Sequence, residues 1–220
     1  MRSAAACLSA LAVSSLTLLR HDATVPPRWP TFVDVAERAG LRQPSIYGGL
    51  EHKRFIIETN GAGVAWLDYD NDGWIDALVL SGTRLEEGAR SEARWPEGQA
   101  PTNRLYRNRH DGTFEDVTER AGLRRTGWAS SVCAGDYDND GWTDLFITYY
   151  GQNVLYHNRA GRFEDVTAQA GLATRGVRWG SGCSFLDYDR DGRADLFVSN
   201  YLAFDLQRAA EPGTGIYCLW

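Results

Sequence analysis

Apolar residues come along this chain in short runs, separated by turn-forming and acidic residues too often for helices to fit. "GVAWLD" (63–68), "DALVLSG" (76–82), "NRLYRN" (103–108) and "TFEDVT" (113–118) each have the length of one strand, and Asp-Gly and Ala-Gly pairs punctuate them. A long helix would need apolar positions spaced at 3.6 residues over more than about ten residues. Only pieces such as "DVTERAGL" hint at that spacing, and they end in glycine.

The pattern then repeats. "TFVDVAERAGL" (31–41), "TFEDVTERAGL" (113–123) and "RFEDVTAQAGL" (162–172) are near copies, and "NRLYRNRHDG" (103–112) matches "NVLYHNRAG" (153–161). "DYDNDGWID" (68–76) returns as "DYDNDGWTD" (136–144) and "DYDRDGRAD" (187–195). Four short strands per repeat of roughly 40–50 residues are the pattern of a propeller blade, so the chain is expected to be all-β. Blade one is expected over 62–119, blade two over 129–168 and the start of blade three over 180–201, the whole partial propeller lying within 31–220. The strand before each aspartate loop is expected innermost, because Ala65, Cys133 and Ser184 are small at matching positions. "TFEDVT" is expected outermost, and 31–41 is expected to supply the outer strand of a closing blade. An arc of about two and a half blades does not close a ring of roughly 4–8 blades, so the sequence is expected to continue beyond Trp220. The charged stretch at 81–101, with Trp95, reads as a surface insertion and a candidate contact surface.

The aspartate loops carry the chemistry. In D-x-D-x-D-G-x-x-D, carboxylates stand at the first, third, fifth and ninth positions, and the sixth-position glycine allows a sharp turn that points the seventh carbonyl inward. Oxygen donors of this number and charge suit a hard cation with flexible coordination, which predicts three Ca²⁺ sites. Their candidate ligands are Asp68, Asp70, Asp72, the Trp74 carbonyl and Asp76; Asp136, Asp138, Asp140, the Trp142 carbonyl and Asp144; and Asp187, Asp189, Asp191, the Arg193 carbonyl and Asp195. An EF-hand would place glutamate at position twelve, where this chain has Val79, Ile147 and Val198. No His or Cys lies in a loop, which argues against zinc and copper. A plain Asp-Gly hairpin needs one or two aspartates, not four in register three times.

Charge supports this assignment. The chain has 23 basic and 29 acidic residues, a net charge of −6, so nucleic acid is a poor partner. The N-terminus, "MRSAAACLSALAVSSLTLLRHDA", has a single early basic residue and an uncharged run from Ala4 to Leu19, which predicts a signal peptide over 1–24 and a secreted or periplasmic protein. An uncleaved anchor is the alternative and would be the chain's only tie to a membrane. Without Cys7, the cysteines are Cys133, Cys183 and Cys218, an odd number. Cys133 lies three residues before Asp136 and Cys183 four before Asp187, so on equivalent strands they should point to opposite faces, unbridged to each other, as small buried thiols where neighbouring backbones crowd.

These residues resemble the FG-GAP/VCBS-type repeat, an integrin-like calcium-binding propeller blade. "ETNGAGVAWLDYDNDGWIDALVLSG", "RWPEGQAPTNRLYRNRHDGTFEDVTERAGL" and the segment from "NYLAFDL" to "PGTGIYC" further resemble exported bacterial proteins of the cartilage-acidic-protein-like group, which carry a C-terminal ASPIC/UnbV domain. That resemblance implies a longer propeller, and a partner for Cys218 downstream. Catalytic constellations are scarce: His21, His52, His110 and His157 are scattered, and there is no G-x-S-x-G, H-E-x-x-H or P-loop. A non-catalytic module binding protein or glycan is therefore expected. The alternatives are the scaffold of an exported polysaccharide lyase or hydrolase, and a structural adhesion module.

Overall fold

The computed structural model describes residues 29–49, 53, 55–61, 63–83 and 101–205. The expected signal peptide, most of the 81–101 insertion with Trp95, and Cys7 and Cys218 lie outside the described residues. No helix among the described residues is long and apolar enough to cross a membrane. The ten strands among the described residues all fall in the unit Val35–Trp220.

The fold is an all-β propeller arc. β1 (Val64–Leu67), β2 (Asp76–Val79), β3 (Arg104–Asn108) and β4 (Phe114–Asp116) form one antiparallel four-stranded sheet in that order. β5 (Trp128–Gly135), β6 (Asp144–Tyr150), β7 (Val154–Arg159) and β8 (Arg162–Asp165) form a second in the same order. β9 (Gly180–Leu186) and β10 (Asp195–Asn200) pair as a third, two-stranded sheet. The sheets meet through their first strands, β5 lying against both β1 and β9.

Blade two is buried on both faces, and the alternation of its strands explains why it reads as nearly continuous hydrophobicity. Along β6, Leu145, Ile147 and Tyr149 enter a core shared with Leu78, Leu80 and Leu105 of blade one. Phe146, on the other face, joins Phe185, Leu196 and Val198 of blade three. A one-residue slip would exchange the two sets and break both interfaces.

The outer strands are shorter than "TFEDVT". Asp116 Oδ1 accepts from both the Thr118 N–H (3.0 Å) and the Thr118 hydroxyl (2.6 Å), which turns the chain out of the sheet. Thr118 Oγ1 in turn accepts the Leu105 N–H at 3.0 Å. Asp165, Thr167 and Leu155 repeat the arrangement. The following "AGL" crosses to the next blade, where the Ala121 carbonyl accepts the Phe163 N–H at 2.8 Å. The Ala39 carbonyl accepts the Phe114 N–H in the same way. Residues 36–40 are thus a turn docked on blade one, and 31–35 carry no strand ladder.

The cysteines are unbridged, as the sequence predicts, yet they are neighbours. Cys133 and Cys183 are both free and half-buried, and their Sγ atoms approach one carbonyl, that of Phe146, at 3.8 and 3.5 Å. They do lie on opposite faces of equivalent strands. Neighbouring blades stack front to back, however, so opposite faces of successive blades face each other.

Candidate metal centre

Each aspartate loop joins the first two strands of a sheet and uses its own backbone to shape its carboxylates. In loop one, Asp68 accepts the Asp72 N–H (3.0 Å) and the Gly73 N–H (2.8 Å), while Asp72 accepts the Trp74 N–H (2.9 Å). Loops two and three repeat these contacts through Asp136 and Asp140, and through Asp187 and Asp191. The turn takes two left-handed residues. One is the glycine, with φ of 85° at Gly73, and the other is the fourth-position residue, Asn71 (54°), Asn139 (60°) or Arg190 (64°). The left-handed asparagines also tie the loops together, because Asn71 Nδ2 donates to the Gly141 carbonyl at 2.9 Å and Asn139 Nδ2 to that of Gly192 at 3.3 Å.

The ninth-position aspartate anchors the loop from beneath. Asp76 is fully buried and accepts from the Tyr69 N–H at 3.1 Å and, across the sheet, from the Asn108 N–H at 2.7 Å. Asp144 makes the matching pair with Tyr137 and Asn158. Burial pushes the Asp76 carboxyl up from its ordinary value, and the charges of Asp70 and Asp72 add to the effect against those two N–H donors. Asp144 is raised for the same first reason, with Asp138 adding to it. A desolvated carboxylate beside two others is an arrangement that a divalent cation relieves.

Three of the four carboxylates in each loop converge. Ligand oxygens of Asp68, Asp70 and Asp76 lie within 4.8 Å of one another, as do those of Asp136, Asp138 and Asp144, and of Asp187, Asp189 and Asp195. Oxygens on opposite sides of one Ca²⁺ stand at most about 5 Å apart, so each set can share an ion. Asp70 Oδ1 is buried with no hydrogen-bond partner, an acceptor free to ligate. The residues therefore fit Ca²⁺: the first-, third- and ninth-position aspartates would hold it, and the all-oxygen donor set matches a hard cation.

The fifth-position aspartates are outside these triads: loop one commits Asp72 elsewhere, while in loop two ligand atoms of Asp140, Asp138 and His157 lie within 4.8 Å of one another. Arg107, on β3, donates from Nε to Asp70 Oδ2 at 2.6 Å and from Nη2 to Asp72 Oδ2. His110 Nε2 also lies 3.1 Å from Asp72 Oδ2. Burial works against the charged form of Asp72, but the Trp74 N–H, His110 and Arg107 together hold its carboxyl below the ordinary value. Trp74 stacks on His110, with ring centroids 4.5 Å apart, within its own blade. In blade two, the place of Arg107 on β7 is taken by His157, whose ring nitrogens lie 3.4 Å from Asp138, 3.8 Å from Asp140 and 3.3 Å from Asp144. The loops contain no histidine, yet the fold sets one against loop two and another against loop one. Sequence reasoning passed over Arg107, His110 and His157; the signal for the first and last was the alignment of "NRLYRN" with "NVLYHN".

Comparison with known proteins agrees with this architecture. The family described as FG-GAP-like repeat matches residues 95–147 and 136–198, which take in the second and third aspartate loops. Cartilage acidic protein 1 of Homo sapiens is 32% identical over 90 residues, 40% of this chain and 14% of that protein. The Mus musculus protein of the same name is 30% identical over the same shares. The matched stretch is thus a small part of those relatives' length.

Proposed function

The chain carries FG-GAP-like repeats on propeller blades, and from that premise we propose a calcium-binding, extracellular or periplasmic β-propeller that acts as a non-catalytic binding module for protein or glycan. The observation that carries the calcium reading is the convergence of Asp68, Asp70 and Asp76 around the unpartnered Asp70 Oδ1, repeated in outline in loops two and three. Calcium would bring the charge that lets the buried Asp76 and Asp144 remain ionised, and the asparagine links would then hold adjacent loops as one rigid rim. Binding is favoured over catalysis because the carboxylates that would serve as a general acid and base are those the metal needs, and a ligated carboxylate is a poor proton donor. Secretion rests on the N-terminal pattern of Arg2 followed by an uncharged run.

Isothermal titration of the metal-free chain with calcium, followed by glycan-array and surface-protein screening with and without calcium, tests the proposal. Saturable calcium uptake with calcium-dependent ligand capture supports it. Absence of calcium uptake overturns it. Turnover of a polysaccharide by the chain would favour the enzyme-scaffold alternative.

A further inference from the structure

Loops one and two share a sequence pattern, but the strand behind each does not treat them alike. We infer that the third-strand residue just before Asn108 and Asn158 sets how tightly each loop holds its metal: Arg107 is a built-in cation that competes with calcium in loop one, whereas loop two meets no guanidinium. The inference rests on the calcium reading above.

The two positions are equivalent by fold. Arg107 pairs with Glu115 across the hairpin and His157 with Glu164, and each precedes an asparagine whose N–H binds the ninth-position aspartate. Their contacts differ in kind. The Arg107 guanidinium bridges two separate carboxylates of loop one, through hydrogen bonds from Nε to Asp70 and from Nη2 to Asp72. A guanidinium keeps its charge at any physiological pH and offers donors in a fixed fork, so it already neutralises part of the charge a cation would meet. Both carboxylates are mostly shielded from solvent, with side chains 21% and 18% exposed, so screening by salt is weak there. Asp70 uses Oδ2 for the guanidinium and keeps only Oδ1 for the metal.

His157 meets its loop without a guanidinium's fork, and one of its ring nitrogens lies within 4.8 Å of ligand oxygens of Asp138 and Asp140. None of its approaches to Asp138, Asp140 and Asp144 is a hydrogen bond, and Nδ1 is buried without a partner. Among the described residues, no arginine is hydrogen-bonded to Asp138, the counterpart of Asp70. Calcium entering loop two displaces no bound guanidinium. In loop one it shares Asp70 with the guanidinium and sits close to a like charge.

The test exchanges the two side chains. Calcium isotherms are measured by calorimetry on the wild-type chain, R107H and H157R, each also with loop two disabled by D138N and D140N or loop one disabled by D70N and D72N. In the wild type, disabling loop two should remove a tight event and disabling loop one a weaker one. R107H should tighten loop one by about tenfold or more, and H157R should weaken loop two by a similar factor. Equal affinities at the two loops, or swaps that leave both isotherms unchanged, would overturn the inference while leaving calcium binding intact. No calcium event in any form would overturn the calcium reading and this inference with it. Should R107H fail to fold, H157R and the loop-disabled wild type still decide the question.

Discussion

Asn158, on the third strand of blade two, donates from Nδ2 to the carbonyl of Tyr69, inside the aspartate loop of blade one, at 2.8 Å. The same side chain donates to the Thr143 carbonyl at 3.0 Å and accepts the Gly161 N–H at 2.9 Å, while its backbone N–H binds Asp144. One fully buried asparagine thus ties two loops and a hairpin into a single unit. Asn158→Leu leaves three polar groups without their partner. The expected loss, read from urea unfolding midpoints, is about 3 kcal/mol or more. A loss within about 0.5 kcal/mol of zero would show that water replaces the asparagine without penalty.

The "AGL" turns differ in what lies beyond them. A Cβ on Gly122 would meet the Phe163 carbonyl oxygen at 2.6 Å, and the φ of 77° adds strain. Gly171 has a similar φ of 71° and nothing within 4 Å of such a Cβ. Gly171→Ala should therefore cost about 1 kcal/mol from backbone strain alone, and Gly122→Ala about 3 kcal/mol or more. Equal midpoints in denaturant would mean that the turn does not press on the next blade.

The paired cysteines should react unequally. The Cys183 thiol beside it, and then burial, push the Cys133 thiol far up from its ordinary value, whereas accepting that hydrogen bond draws Cys183 down. Brief alkylation at mildly alkaline pH, mapped by mass spectrometry, should label Cys183 first because the thiolate is the nucleophile. Equal labelling would contradict the thiol contact between blades two and three.

Burial raises the phenols of Tyr47, Tyr149 and Tyr156 above their ordinary value. In the unfolded chain they ionise near pH 10, so above that pH the unfolded state releases protons that the native state retains. The stability these groups contribute is fully present below about pH 10 and is lost as pH rises through the folded values. Tyrosinate absorbance and loss of β-sheet circular dichroism should rise together in one cooperative step. Ionisation of all the tyrosines with the sheet signal intact would contradict their burial.

Much of this architecture was legible in the sequence because strands and loops are local. Short apolar runs marked the sheets, and the spacing of Asp68, Asp70, Asp72 and Asp76 marked the loops, since a turn's geometry is written in neighbouring residues. What could not be read is set by contacts between distant residues. Arg107 and His157 reach their aspartates only because β3 and β7 run back past the loops. Cys133 and Cys183 meet because blades stack front to back, which face parity on a single sheet does not reveal. "TFEDVT" read as one outer strand, yet Asp116 and Thr118 end the strand and send the chain to the next blade.

The central claim is that metal forms part of the folded structure, because Asp76 and Asp144 are buried beside other carboxylates. The most direct test is the melting temperature of the chain in excess calcium against that in excess chelator. Calcium binds the folded loops and barely the unfolded chain, so at a free concentration of about 100 times its dissociation constant each site adds about 2.7 kcal/mol. The melting temperature should rise by several degrees or more and fall again on chelation. Coincident melting curves would contradict the account.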